Sequence, residues 1–362
     1  MVFPSPLTAS TLPVIVQDLN KDWASPVAYE NPATPPSANH VDCFTTVSEI
    51  TNTECKELLD KEADVILMNG FEDDFVPQGT SFTTKRRKAR QNLLHVANCL
   101  LGQQMDNDTL IIGTSGRYEF KNKGINVFLE SLNRLNRDKN LKKKVLAFVN
   151  VPGWVGEPRE ELKKRLESKK TYDTPLECPF ITHWLHNMTH DQVLDMLKYL
   201  GMNNSPEDKV KVIFVPCYLD GKDGIINQQY YDVILGQDLS CYPSYYEPWG
   251  YTPLESVAFR VPTITTDLAG FGRWVNGLKQ NGGLKDGVEV IHRSDYNYSE
   301  VADAIKDTIS DFSGKSDKEV NLMRKHAALV AEQALWKHFI IYYYEAYDVA
   351  LRHAAKRLLQ SK

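Results

Sequence analysis

The sequence predicts an α/β protein built on a Rossmann-like, doubly wound parallel sheet. Six short apolar runs of strand length alternate with amphipathic patterns of helix length over most of the 362 residues. Buried strands that alternate with helices in this way are typical of parallel sheets that carry helices on both faces. Two motifs with charged side chains also follow directly after predicted strands, where such sheets bind their ligands.

The predicted elements follow one another in a regular order. A helix is expected at 48–64, capped by Ser48 or Thr51, and another at 91–102. The predicted strands are 110–112, 145–151, 210–215, 239–242, 263–266 and 288–291, and the helices between them are 125–135, 191–200, 252–259 and 301–312. A long helical stretch at 318–359 ends the chain.

Composition excludes several classes of protein. The net charge of −5 argues against a nucleic-acid or membrane-surface binder, because affinity for phosphate backbones comes from clustered lysine and arginine. No apolar run approaches the roughly 20 residues of a membrane helix. Residues 1–6 lack the basic start and apolar core of a signal peptide. The six cysteines show no close pairing, so we expect free thiols and a cytoplasmic protein.

The segment 242–255 is the most informative part of the chain. It places Glu247 and Glu255 eight positions apart, around a Pro-Trp-Gly turn that opens a helix. Three backbone N–H groups then point out of the helix N-terminus, those of Gly250, Tyr251 and Thr252. Free N–H groups and the helix dipole favour a phosphate, and flanking carboxylates accept hydrogen bonds from sugar hydroxyls. The segment therefore indicates a nucleotide-sugar site.

Arg117 and Lys123 form a second motif, after the strand at 110–112 and a Gly-Thr-Ser-Gly turn. Two fixed cations at this place would stabilise the negative charge that develops on a departing diphosphate, without a metal ion. The alternative is a solvated basic loop, which is the commoner fate of one arginine and one lysine at this spacing.

The segment 242–255, continued through 261–272, closely resembles the glycogen synthases of animals, fungi and some bacteria. Three further segments resemble the same family in the same order: 43–51, 116–124 and 209–216. The resemblance implies a GT-B fold and a retaining transfer of glucose from UDP-glucose to a glycogen or α-1,4-glucan chain end. It implies no cofactor besides the donor substrate.

The resemblance also assigns roles to the two motifs. It implies that Arg117 and Lys123 hold the diphosphate and that Thr252 adds a phosphate contact. Glu247 would support positive charge at the anomeric carbon, and Glu255 would hold the ribose hydroxyls. For Glu255 the structural alternative is a capping box with Thr252 at the start of the helix.

Tyr218 and Tyr230 align with aromatic positions that stack on uracil in that family. A planar base stacks favourably on an aromatic face, although simple packing near the surface is the commoner role of such tyrosines. His183, His186 and His190 would share one face of a helix and so suggest a metal site. Because the family has a Thr-His-Asn-Met loop here, we interpret them as loop histidines.

The domain organisation is predicted from where the resemblance begins. We expect a Pro-rich arm at 1–38, a remnant of the N-terminal GT-B domain at 39–105, a nucleotide-sugar-binding domain at 106–320 and a C-terminal helix that crosses back at 321–362. The family's lysine-glycine-glycine loop and its N-terminal histidine have no counterpart in the sequence.

Three functions remain open: the glucosyltransferase, a nucleotide-sugar or glucan-binding module without catalysis, and a GT-B glycosyltransferase with another donor or acceptor. The aromatic run 339–344 would also lose part of its partner surface if the acceptor half is missing. Exposed apolar patches favour self-association, so we expect a homo-oligomer.

Overall fold

The computed structural model describes residues 37–168, 170–278 and 281–360, so the predicted Pro-rich arm lies almost wholly outside the described residues. The strands are β1 (Thr45–Thr46), β2 (Val65–Ile66), β3 (Leu110–Ser115), β4 (Val145–Asn150), β5 (Val155–Pro158), β6 (His183–Leu185), β7 (Val210–Val215), β8 (Leu239–Cys241), β9 (Thr263–Thr266) and β10 (Val288–Ile291). The helices are α1 (Glu49–Leu59), α2 (Gly79–Leu101), α3 (Ile125–Asn136), α4 (Glu160–Glu167), α5 (Gln192–Tyr199), α6 (Tyr230–Gly236), α7 (Tyr251–Ala258), α8 (Gly270–Gly277), α9 (Tyr298–Ser313), α10 (Asp317–Gln333) and α11 (Trp336–Gln360).

All six predicted strands form one parallel sheet in the order β10-β9-β8-β3-β4-β7. Every residue of β3, β4 and β7 is buried, which explains why their sequences are mostly apolar rather than alternating between apolar and polar residues. The predicted α/β fold with a doubly wound parallel sheet is confirmed. A two-stranded parallel pair, β1 with β2, and a short antiparallel pair, β5 with β6, lie apart from this sheet.

The order of the strands reverses between β3 and β8. From β3 the chain moves outward through β4 to β7, and from β8 it moves outward the other way through β9 to β10. At such a reversal the neighbouring connections leave from opposite faces, and a crevice opens at the carboxyl ends of the two strands. The loops that follow β3 and β8 both emerge at this crevice.

Helices cover both faces of the sheet. On one face α3, α5 and α9 bury an apolar cluster that includes Phe128 and Phe312. On the other face α2, α4 and α6 pack over β3, β4 and β7, where Leu93 and Leu100 of α2 meet Phe148 of β4. No helix in the described ranges is both long enough and apolar enough to cross a membrane.

Helix α2 begins at Gly79, well before the predicted start at residue 91. Its first half is polar and basic, a composition that does not by itself predict a helix. Arg86 and Arg90 in this half reach Asp238 at the start of β8 and fix the turns against the sheet. The helix is therefore extended by tertiary contacts that local propensity does not reveal.

Asp238 is a buried carboxylate shared by three arginines. Its Oδ1 lies 2.6 Å from Arg86 Nη2 and 3.3 Å from Arg324 Nη2, and its Oδ2 lies 2.5 Å from Arg90 Nη1. The backbone N–H of Ile111 in β3 donates to Oδ2 at 2.9 Å. Burial raises the pKa of this carboxyl, but the three guanidinium groups outweigh burial and hold the pKa below its usual value. The cluster joins α2, α10, β3 and β8.

The predicted helical stretch at 318–359 is divided into α10 and α11 at Ala334 and Leu335. Phe71 pairs with this break, since its N–H donates to the Ala334 carbonyl at 3.0 Å and its carbonyl accepts from Trp336 N at 3.2 Å. The segment after β2 thus pairs with the junction of the two helices and ties the N-terminal part of the described chain to its C-terminal part.

The aromatic run 339–344 is buried on one side of α11 and exposed on the other. Phe339 is buried and packs edge-on against Trp249 and Trp274, with ring centroids 6.0 and 5.5 Å apart. The exposed apolar stripe lies on the other side of α11 and consists of Ile341, Tyr344, Tyr347 and Leu351.

We expect Asp238→Asn to lower the free energy of unfolding by about 3 to 5 kcal/mol, because it leaves three arginines around a neutral group in the interior. Urea unfolding at neutral pH measures the loss, and Asp311→Asn, at an exposed i,i+4 pair, is the control. The folded-state pKa of Asp238 is lowered, so its stabilisation is present above about pH 4 and is lost as the pH falls through the folded pKa. Equal stability of the two variants would contradict this account.

We expect the chain to self-associate through the exposed stripe of α11. Sedimentation velocity over a range of protein concentrations measures the association, and Leu351→Glu should shift it towards monomer because it places a charge in the apolar contact. Leu329→Glu, at an exposed leucine of α10, is the matched control and should leave association unchanged. A monomer at every concentration would count against the expectation.

Candidate functional site

Two loops meet at the crevice between β3 and β8. The Tyr245 N–H of the second loop donates to the Asn122 carbonyl of the first at 2.8 Å. Gly124 ends the first loop in a left-handed conformation, with φ of 68°, and packs so closely on the Pro243 carbonyl that a Cβ would overlap it. A glycine is needed there for the two loops to touch. β3 itself runs on to Ser115, so the predicted Gly-Thr-Ser-Gly turn is mostly strand.

Lys123 and Glu247 form an ion pair between these loops. The Lys123 ammonium contacts Glu247 Oε2, and the two side chains are only 15% and 19% exposed. Backbone bonds hold both residues, since Lys123 N donates to Glu119 O at 2.8 Å and Glu247 N donates to Leu268 O at 3.1 Å. The pair places one cation and one carboxylate at the mouth of the crevice, where the cation can exchange its partner for an anionic ligand.

Arg117 lies on the same loop but apart from this pair. Its side chain is 74% exposed, and its Nε lies 3.0 Å from Glu119 Oε1. An exposed ion pair of this kind contributes about 1 kcal/mol at most, so the guanidinium can leave it at little cost. The structure brings together Lys123 and Glu247 of the predicted site and leaves Arg117 at its rim.

Helix α7 begins at Tyr251, and Gly250 is its N-cap with φ of 114°. Within the described part of the chain no side chain caps this helix, so Thr252 and Glu255 do not form the capping box considered from the sequence. That alternative for Glu255 is wrong, because the helix starts one residue before Thr252. The first-turn N–H groups are left without a capping side chain, as an anion site requires.

Glu255 lies on α7 and accepts a hydrogen bond from the Tyr231 hydroxyl at 3.0 Å. Burial raises the pKa of this carboxyl, and hydrogen bonds from Tyr231 and Tyr230 offset only part of that effect. The Tyr231 ring stacks on Phe259, with centroids 5.0 Å apart and the planes nearly parallel. Tyr231 was missed in the sequence because the resemblance pointed to Tyr230 alone of the two adjacent tyrosines that open α6.

Tyr218 and Tyr230 stand at the two ends of one loop. The Tyr230 N–H donates to the Leu219 carbonyl at 2.9 Å, which closes the loop at its base. The Tyr230 hydroxyl turns inward to Ser115 Oγ at 3.3 Å, whereas Tyr218 is 78% exposed. Tyr218 is therefore the more exposed of the two tyrosines, and stacking on a base stays a prediction for both.

Buried hydroxyl groups connect the sheet to helix α7 beneath the candidate site. The Tyr242 hydroxyl lies 2.7 Å from Ser256 Oγ and 3.3 Å from Ser115 Oγ, which joins β3, the end of β8 and α7. Burial raises the pKa of the Tyr242 phenol, so the group stays neutral and keeps its proton for hydrogen bonding. This network fixes α7, and with it Glu255, relative to the sheet.

The three histidines do not share a helix face, so the alternative of a metal site formed by all three is wrong. The interpretation as loop histidines holds for His186 and His190 but not for His183, which lies in a strand. His183 lies in β6 and is buried, with Nε2 2.8 Å from the Asp223 carbonyl oxygen. The His186 ring packs on Trp154 at 5.2 Å, and His190 is exposed just before α5. Because residues 183–185 form a strand and not a helix, the three histidine side chains do not lie on one face.

The sequence profile of the family described as glycogen synthase matches residues 33–157 and 157–361. The chain belongs to the glycogen synthase family. The glycogen [starch] synthase of Neurospora crassa is 28% identical over 380 residues, which cover 88% of this chain and 53% of that protein. Isoform 2 of Saccharomyces cerevisiae is also 28% identical, over 87% of this chain and 54% of its own length. The chain therefore spans about half the length of these relatives.

Among solved structures, the chain is similar to WaaG, described as a glycosyltransferase involved in lipopolysaccharide biosynthesis. The TM-score is 0.53 at 13% sequence identity, over 96% of this chain and 74% of WaaG. At this identity the likeness concerns the fold alone, and it agrees with the predicted GT-B type of α/β architecture.

We expect Tyr242→Phe to lower the free energy of unfolding by about 1 to 3 kcal/mol, because it leaves the buried Ser256 hydroxyl without its partner. Urea unfolding measures the difference, and Tyr199→Phe, at an exposed tyrosine of α5, is the matched control. Loss of the same size in both variants, or in neither, would contradict the supporting role of the hydroxyl network.

Proposed function

We propose that this chain provides the donor-binding half of a retaining glucosyltransferase that moves glucose from UDP-glucose to a glycogen or α-1,4-glucan chain end. The observation that carries the proposal is the Lys123–Glu247 ion pair, which lies at the strand reversal next to the uncapped start of α7. Membership of the glycogen synthase family supports the substrate class.

In this proposal the diphosphate of UDP-glucose binds at the N-terminus of α7, against the N–H groups of Tyr251 and Thr252. Lys123 exchanges the Glu247 carboxylate for phosphate oxygens, and Arg117 leaves its weak surface pair to join it. The two cations stabilise the negative charge of the departing diphosphate. Binding of the donor thus releases Glu247 from its partner.

The released Glu247 carboxylate stabilises the positive charge that develops at the anomeric carbon. The bond between this carbon and the β-phosphate oxygen breaks while the 4-hydroxyl oxygen of the glucan attacks from the same face. Because attack and departure take place on the same face, the configuration is retained. The proton of that hydroxyl passes to the departing diphosphate. UDP-glucose enters as a substrate, and the proposal assigns no cofactor to this reaction.

Glu255 and Tyr218 are proposed to bind the nucleoside. Burial and the hydrogen bond from Tyr231 hold the Glu255 carboxyl in one orientation, which suits a pair of ribose hydroxyls. The exposed Tyr218 ring can close over the base. In this arrangement Tyr230 supports the site through Ser115 instead of stacking on the base.

A second candidate is a binding module that holds a nucleotide sugar without turnover by the chain alone. The observation that favours it is the span of about half the length of the relatives. In addition, the sheet formed by β1 and β2 has only two strands in the described residues. Under this alternative the donor site is the same, and the acceptor is supplied by other residues.

The test is calorimetric titration of the chain with UDP and with uridine. We expect Lys123→Gln to weaken UDP binding roughly 10-fold, or by about 1.4 kcal/mol, because it removes a charge from the diphosphate. The same variant should leave uridine binding unchanged. Glu247→Gln should bind UDP at least as tightly as the parent chain, since Lys123 no longer has to leave a carboxylate. Lys315→Gln, at a surface pair on the loop before α10, is the control.

Equal weakening by Lys123→Gln and Lys315→Gln, or no binding of UDP by the parent chain, would overturn the proposed donor site. Turnover is then measured with UDP-glucose and a maltooligosaccharide, beside a panel of other nucleotide sugars. Glucose transfer that Glu247→Gln abolishes supports the enzyme. Binding without transfer supports the module, and transfer from a different donor identifies another GT-B glycosyltransferase.

A further inference from the structure

A buried arginine contacts both loops of the donor crevice. Arg293 is the second residue after β10, and it is only 5% exposed. Among the described residues its guanidinium forms no ion pair with a carboxylate, and burial lowers the pKa of the guanidinium to about 10. An arginine removed from water without a carboxylate partner is rare in proteins, because the desolvation of its charge is not offset. The other contacts of this guanidinium therefore have to offset the cost of its burial.

The guanidinium contacts the loop after β8 in two ways. Its Nη1 donates to the Pro243 carbonyl, and its Cζ lies 5.3 Å from the centroid of the Tyr245 ring. A planar guanidinium can bond to a carbonyl and lie against an aromatic ring at the same time, whereas an ammonium group is a compact point charge. Both contacts come just before Glu247 in the same loop.

The same guanidinium also lies against the loop after β3. A Cβ added at Gly124 would come within 2.8 Å of Arg293 Nη1 and would overlap the Pro243 carbonyl oxygen. Nη1 therefore packs against the residue that follows Lys123, while it bonds to the carbonyl that Gly124 touches. Arg293 thus contacts both loops at the place where they meet.

Asp267 fixes the backbone from which the Arg293 side chain extends. Its Oδ1 accepts the Arg293 N–H at 2.9 Å, and its own N–H donates to the Ile291 carbonyl at 3.1 Å. Asp267 directly follows β9, so these bonds tie the backbone of the arginine to both β9 and β10. In the sheet β9 lies between β10 and β8, so the side chain reaches past one strand to the loop after β8. A base fixed in this way allows the guanidinium to hold the loops in position.

Other contacts hold the rest of the segment 243–247 without joining the two loops. The Thr266 hydroxyl donates to the Ser244 carbonyl at 2.7 Å, and the Tyr246 hydroxyl donates to Glu54 of α1. The backbone of Glu247 is bonded to the segment that follows β9. Loss of the Arg293 guanidinium would therefore act mainly on the contact between the loops.

We propose that Arg293 is a positioning residue of the donor site, whose guanidinium holds the loop that carries Glu247 against the loop that carries Lys123. Lys123 lies on one of these loops, and α7 begins at the end of the other. A diphosphate can contact both the Lys123 ammonium and the first-turn N–H groups of α7 only while the two loops stay together. The inference rests on the proposed function, because that function places the diphosphate between them.

Hydrogen exchange of the chain without ligand tests the contact between the loops. We expect Arg293→Met to speed up exchange of the Tyr245 N–H roughly 10-fold or more, because its bond to the Asn122 carbonyl loses the support of the guanidinium. Arg165→Met is the matched control, since Arg165 of α4 also donates to two backbone carbonyls and lies 4.3 Å from the centroid of the Tyr172 ring. It should leave exchange in both loops unchanged.

Calorimetric titration of the whole chain tests the part of Arg293 in the donor site. We expect Arg293→Met to weaken UDP binding roughly 10-fold and to leave uridine binding unchanged, because uridine has no diphosphate. Arg165→Met should leave both affinities unchanged. Arg293→Lys keeps the charge but cannot lie flat against the Tyr245 ring, so it should still bind UDP more weakly than the parent chain. It is also the milder variant should Arg293→Met fail to fold, which urea unfolding establishes.

The double variant of Arg293→Met with Lys123→Gln separates positioning from general damage. If Arg293 acts by placing Lys123, the double variant should bind UDP about as weakly as Lys123→Gln alone, because no ammonium is left to place. Additive losses, unchanged exchange of the Tyr245 N–H, or UDP binding by Arg293→Lys as tight as that of the parent chain would each overturn the role of Arg293 alone. Equal weakening of UDP and uridine binding by Arg293→Met would do the same. Absence of UDP binding by the parent chain would instead overturn the proposed donor site and, with it, any part of Arg293 in that site.

Discussion

Asp238 and its three arginines couple the helices to the part of the sheet where the candidate site lies. Strand β8 has only three residues, Leu239–Cys241, and makes few ladder bonds of its own. Its start is held because Asp238 bonds to Arg86 and Arg90 of α2 and to Arg324 of α10, while accepting the Ile111 N–H from β3. The position of β8 in turn sets the position of the residues that follow it, which are the loop with Glu247 and the start of α7. A buried carboxylate with three arginines need not make the protein more stable than a well-packed apolar cluster would. Removal of the carboxylate alone, however, would leave uncompensated positive charge in the interior.

The Lys123–Glu247 pair has two consequences for a donor site. It keeps both charged groups ordered at the mouth of the crevice, and it also competes with any anion for Lys123. A ligand must therefore attract the Lys123 ammonium more strongly than the Glu247 carboxylate does. A diphosphate at a helix N-terminus can do so, because it carries more negative charge and also binds the free N–H groups. The same competition favours ligands with two linked charges over single small anions.

Elements buried on both faces could be predicted closely from the sequence, because a short continuous apolar run is typical of a strand that helices cover on both sides. The strands at 210–215, 263–266 and 288–291 agree with the structure at both ends. The start of α2 could not be predicted, since its polar half depends on contact with Asp238, which is distant in the sequence. Likewise, the resemblance pointed to Tyr230 alone, and the contact of the adjacent Tyr231 with Glu255 could not be predicted because the two residues lie on separate helices.

The candidate donor site consists of a preformed part and an adaptable part. Glu255, Tyr231 and the start of α7 are fixed by buried hydroxyl bonds and by aromatic stacking on Phe259. Arg117 and Tyr218 are exposed, and Lys123 is held by a carboxylate that a ligand can replace. The fixed groups would meet the ribose and the diphosphate, whereas the adaptable groups lie at the rim that a ligand crosses. Because the preformed groups do not have to be ordered on binding, the entropic cost of nucleotide binding is lower. The exposed groups at the rim stay free to close over the ligand afterwards. Under the proposed function, nucleotide binding would depend on the fixed groups, whereas catalysis would depend on closure over the rim.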